Sequence, residues 1–188
     1  MKMTSKIVTA VAGVLLLGSV PVRAADPVER YTAFAVNLNG ARARTGSVDI
    51  GIERWTSDQE RDRLMGSLKE GGNDHLLKDL RKAERVGFIR TANSIGYPLR
   101  FARSFDLPSG GRRILLATDR PVSFLEATSG GRSNDYPFLF IELRLDAKGE
   151  GEGKLLPLAR IDWNEDNAVE VENWDNQPVR LTAVHKQS

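Results

Sequence analysis

No cysteine occurs among the 188 residues. That absence excludes disulfides, thiol nucleophiles, cysteine-ligated zinc, iron–sulfur clusters and a lipidated cysteine. Histidine is nearly absent too: His75 and His185 are the only two, and their separation carries no zinc signature. There is no G-x-S-x-G elbow to present a catalytic serine, and no P-loop or dinucleotide fingerprint. No unit of repeat length recurs along the chain. Neither a metal nor a cofactor is therefore expected. Long apolar runs are missing as well, with one exception at the very start.

That exception reads as an export signal. Lys2 and Lys6 precede an uncharged run from Ile7 to Val20, Pro21 breaks it, and Val22-Arg23-Ala24 offers small side chains at −3 and −1 before Ala25. The run is shorter than the roughly 20 residues that span a bilayer. Residues 1–24 are thus expected to be removed, with no transmembrane segment left afterwards, and the protein to reside in the periplasm or outside the cell. Three of the 27 basic residues and no acid lie in this segment, which leaves 24 basic against 25 acidic residues and a mature net charge of −1. A balance so close to neutral gives no pull toward nucleic acid. Residues 25–188 are long enough for one domain that must hold together without disulfides.

The mature chain reads mainly as strand. Phe34, Val36 and Leu38 alternate before Asn39-Gly40, and Val48, Ile50 and Ile52 alternate after it. A pair of short helices follows over about 57–83. Ser57 and Glu60 form a capping box, Leu64, Met65 and Leu68 make an apolar stripe, and Gly71-Gly72 ends the first helix. Asn73 is placed to cap the second, where Leu76, Leu77 and Leu80 repeat the stripe. Strand patterns then run over Val86–Thr91, Tyr97–Phe105, Arg113–Thr118, Pro137–Leu145, Leu155–Trp163, Ala168–Trp174 and Val179–Lys186. The segment from Phe138 to Leu145 is apolar on both faces, as a strand covered on both sides would be. The expected fold is mainly β (a β-rich α+β class), an antiparallel sandwich or partly open barrel of about nine strands with an inserted helical pair.

Candidate functional residues come from charges that interrupt apolar faces. Glu142 shares a strand face with Phe138 and Phe140, and Arg103 interrupts the face of Tyr97, Phe101 and Phe105. An unpaired buried ion costs several kcal/mol. Arg103 and Glu142 are therefore expected to meet as an ion pair, or to anchor one ligand pocket lined by Tyr97, Phe101, Phe138 and Phe140. Asp162, Asn164 and Asp166 open like a calcium loop. The sixth position is Asn167 rather than glycine and the twelfth is Asn173 rather than glutamate, so the stretch reads as a polar turn. Ser109-Gly-Gly-Arg112 and Ser129-Gly-Gly-Arg132 read as glycine turns that could cradle an anion. Trp55, Trp163, Trp174 and Tyr136 fall at element ends, where they cover a core edge or form a binding rim.

The function these features imply is a non-catalytic exported β domain that binds a protein partner or a small ligand through a sheet face or cavity. One alternative is an exported hydrolase working through Glu142, Asp162 or Asp119, which needs two carboxyls across one cleft. The other is a structural part of a cell-envelope assembly, which needs a large exposed apolar patch.

Overall fold

Period-two patterning that recurs through most of a chain leaves its strands with one apolar face each, and a sheet can bury such a face by closing on itself. The computed structural model describes residues 27–38, 44–92, 94–120, 138–163, 169–173 and 177–187. Within them lie nine strands: β1 (Glu29–Asn37), β2 (Arg44–Ile52), β3 (Gly87–Thr91), β4 (Tyr97–Asp106), β5 (Arg112–Thr118), β6 (Phe138–Leu145), β7 (Glu150–Trp163), β8 (Val169–Asn173) and β9 (Val179–Gln187). One helical element, α1 (Asp58–Lys82), is inserted between β2 and β3. All pairings are antiparallel, and neighbours run β6-β5-β4-β3-β2-β1-β9-β7-β8. A further pairing of β6 with β7 closes eight of these strands into a barrel. The ring is therefore complete rather than partly open. β8 hangs outside it, because β7 is long enough to pair through Glu150–Leu155 with β9 and through Ala159–Trp163 with β8.

The barrel interior is a packed core. Among the described residues twenty buried apolar side chains fill it, including Tyr31, Ile50, Leu99, Ile114, Leu116, Ile141 and Leu181. Large and small side chains face each other across it, as a narrow taper requires. That requirement reverses the reading of β1. Tyr31, Ala33 and Ala35 point inward, while Phe34 and Leu38, both larger than the alanines, stand outside at 54% and 50% exposure. Val48, Ile50 and Ile52 of β2 occupy the interior beside them, so little room remains for bulk at Ala33 and Ala35. One end of the barrel is closed by polar groups. Glu29 accepts from Arg112 (3.1 and 3.2 Å), from Lys186 (2.9 Å) and from the Tyr31 hydroxyl (2.5 Å).

A second apolar cluster lies on the outside. Leu64, Leu68, Leu76 and Leu80 of α1 pack over Phe138, Ala159 and Ile161. This explains why β6 is apolar on both faces: Leu139, Ile141 and Leu143 fill the barrel while Phe138 and Phe140 lie beneath α1. α1 is a single element where the sequence predicts a pair, because no loop separates its arms. The helical backbone is broken only at Gly71 and Gly72. The arms nevertheless fold back on each other. Twelve residues of straight helix would span about 18 Å, yet the Ser67 hydroxyl donates to Asp79 across that separation at 2.5 Å. Asn73 does not cap the second arm with its side chain as expected. Its Oδ1 accepts from the Ile161 amide at 2.9 Å and ties the arm to β7. The expected export signal, the second glycine turn, Tyr136, Trp174, the Asn164–Asp166 segment and the side chains of Asp162 and Trp163 lie outside the described residues.

Candidate binding groove on the outer barrel wall

The start of α1 is fixed before the helix begins. Thr56 and Ala102 exchange two hydrogen bonds: the Thr56 amide donates to the Ala102 carbonyl at 2.9 Å, and the Ala102 amide donates to Thr56 Oγ1 at 3.0 Å. Ser57 and Glu60 complete the capping box at 2.8 and 3.2 Å. Arg54 grips Glu60 through both terminal guanidinium nitrogens at 3.0 and 2.8 Å. With the Arg54 bonds as the largest cause, the Glu60 carboxyl is pulled down to about 2. So anchored, α1 runs over the outer wall of β4 to β7 and leaves a groove beside it.

That groove encloses about 630 Å³, within the range of small-molecule sites. The helical side is formed by Leu64, Met65, Leu68, Leu76 and Leu80. Strand register builds the floor in rows. Phe101, Ala117, Phe140 and Leu156 stand in one cross-strand row beneath the helix. The next row runs Arg103, Leu115, Glu142, Lys154. The third runs Phe105, Arg113, Arg144, Glu152. The groove is therefore apolar at the first row and charged by the third.

The six residues singled out from sequence divide across this geometry. Phe101, Phe140 and Glu142 line the groove. Phe138 is fully buried under α1 and supports the floor from behind. Tyr97 is not there at all. A bulge between Leu99 and Phe101 adds one residue to β4, which changes the phase of the strand. Tyr97 and Leu99 thus belong with the barrel interior, while Phe101 packs outside under α1. The Tyr97 ring instead lies under Arg120, 5.5 Å from its guanidinium carbon. Arg103 and Glu142 do share the outer wall, but not as a pair. Leu115 stands between them in register, so their backbones are about 10 Å apart. Arg103 donates to the Thr56 carbonyl and to Asp58, both at 2.9 Å, and so anchors the helix start. Glu142 meets Arg144 at 2.8 Å and Arg113 at 3.3 Å.

Sequence reading missed Arg113, Leu115, Lys154 and Leu156. Each sits on an outward row of β5 or β7, and the face it shares is visible only once register is known. The leucines of α1 were legible as an apolar stripe, but not as one wall of a groove.

Other sites are structurally committed. On the opposite wall, a depression of about 550 Å³ holds Arg30, Asp49 and Arg90, where both arginines bind the one carboxylate at 2.7 Å. Burial would raise the Asp49 carboxyl, but the two arginines outweigh it and hold it below the usual range. Arg112, from the first glycine turn, is spent on Glu29 and Tyr31. Asp119 pairs with Arg100 at 3.2 Å away from the groove, so among the described residues Glu142 is the one carboxylate on it. Trp55 packs against the barrel core. His75 and His185 are exposed. Among the described residues no cluster of His, Asp or Glu is arranged to hold a metal, and no helix is long and apolar enough to cross a membrane. The chain matches no protein-family model, no curated protein and no solved structure.

Proposed function

We propose that this is an exported, non-catalytic β-barrel that binds a small apolar ligand in the groove between α1 and the outer wall of β4 to β7. One observation carries the reading: the groove is apolar on both sides, from the α1 leucines to the Phe101–Phe140 row, while the barrel interior is filled. Burying apolar ligand surface there contributes about 25 cal/mol per Å². Among the described residues the groove carries one carboxylate, whereas the hydrolase alternative requires two.

Blocking the floor tests this. Leu115 lines the groove and is half-buried, so Leu115→Trp fills it without entering the barrel core. The neutral fluorophore N-phenyl-1-naphthylamine should brighten with the mature wild type, and the variant should weaken its binding at least fivefold with an unchanged circular dichroism spectrum. Equal binding by both proteins, or none by the wild type, would overturn the reading. A second reading has its own support. Phe34 on β1 and Leu38 just past its end stand exposed, as an assembly contact would. Sedimentation of mature wild type and Phe34→Ser/Leu38→Ser checks it, with a self-associated wild type and a monomeric variant as the expected result.

A further inference from the structure

The groove is polarised along the strands, and among the described residues its charged end carries more cations than carboxylates. Four charged side chains line it: Arg61, Arg113, Glu142 and Lys154. Arg61 is held by Asp58 at 3.2 Å and Asp62 at 2.7 Å on the helix. Glu142 shares one oxygen, Oε1, between Arg144 and the Nε of Arg113. Among the described residues Arg113 meets an acid only in this contact with Glu142, and the Lys154 ammonium makes no hydrogen bond or ion pair. Glu152 is the next acid on the wall, and it stands across from Arg144 rather than Arg113. Among the described residues two cations thus face the groove with one carboxylate between them. The apolar row of Phe140 lies four residues from the row of Arg144 and Arg113, about 13 Å along the sheet. Phe105, 42% exposed, stands in register with Arg113 at that end.

We infer that the occupant is a single-chain amphiphile with a carboxylate head, its chain lying on the Phe101–Phe140–Leu156 row and its head held by Arg113 and Lys154. This deepens the groove reading above and rests on it. Guanidinium nitrogens in a planar fork match the two oxygens of a carboxylate. The ammonium of Lys154 adds a point charge from the adjacent row. A neutral head would add nothing to Arg113 and leave the exposed Lys154 ammonium to water alone, and a cationic head would be repelled by both.

Titration of the mature protein with dodecanoate, dodecyl glucoside and dodecyltrimethylammonium, each below its micelle threshold, tests the inference. Dodecanoate should bind at least tenfold tighter than the other two, and its affinity alone should fall several-fold between 20 and 500 mM salt. Arg113→Gln/Lys154→Gln should reduce the preference for dodecanoate to under threefold and leave the glucoside unchanged. Glu142→Gln should bind dodecanoate at least as tightly as the wild type. Leu115→Trp should weaken all three. If the glucoside binds as tightly as dodecanoate in the wild type, the carboxylate assignment is wrong while the groove survives as the site. If Leu115→Trp binds all three amphiphiles like the wild type, the groove reading itself fails.

Discussion

Glu29 shows how a single side chain can govern behaviour in acid. Burial alone would raise its carboxyl, but bonds from Tyr31, Arg112 and Lys186 outweigh that and set it below the ordinary glutamate value. The same contact works the other way on Tyr31, whose hydroxyl is pushed up by burial and by the Glu29 carboxylate. A carboxyl lowered by folding contributes stability above its unfolded-state value, and this is lost as pH falls through the folded-state value. Glu29→Gln should therefore destabilise the protein by about 1–3 kcal/mol at pH 7, since it removes charge-assisted bonds at a part-buried position. Urea unfolding at pH 7 and again below pH 4 checks this. The gap between variant and wild type should narrow in acid, and a gap independent of pH would remove Glu29 from the acid response. Asp49 and Glu60 are lowered too, so the comparison with the variant isolates one contribution from several.

Within α1 two glycines should respond to the same substitution with opposite signs. Gly72 has φ +63° and ψ −152°, a conformation almost confined to glycine, and a Cβ there would touch nothing. Gly72→Ala should thus cost about 1–3 kcal/mol through the backbone alone. Gly66 is helical and equally uncrowded, so Gly66→Ala should stabilise by about 0.5–1 kcal/mol. Thermal melts of the two variants decide the matter, and shifts of the same sign would mean that the chain does not reverse at the glycine pair. The reversal was half legible. Gly71-Gly72 announces a break, and the leucine spacing announces two apolar stripes. Nothing local says that Ser67 will bond Asp79 or that Asn73 will bond β7, because both partners come from chain that is distant in sequence or turned back in space. On β4 the same limit is sharper. Tyr97, Leu99, Phe101, Arg103 and Phe105 alternate without a fault, but the bulge at Arg100 divides them between two faces. A bulge is set by the strands on either side.

Two separate apolar clusters imply two levels of stability in the whole molecule. The barrel is closed by its β6–β7 pairing and filled by one continuous core, whereas α1 rests on the wall by four buried leucines. Hydrogen exchange should show α1 amides opening at lower free energy than those of β1, β2 and β5, with a ligand in the groove raising α1 protection most. Identical opening energies throughout would mean that helix and barrel unfold as one unit. The succession of nine strands, the capping box, the glycine break and the double-sided apolar character of β6 were determined by the sequence alone, because each depends on periodicity or on partners within a few residues, but the start of β7 at Glu150 rather than Leu155 was not. Barrel closure, the inward turn of Ala33 and Ala35 in place of Phe34, and the separation of Arg103 from Glu142 by Leu115 were decided only by tertiary structure. Each depends on register and on limited interior volume, which are properties of strands taken together and leave no mark on any one of them.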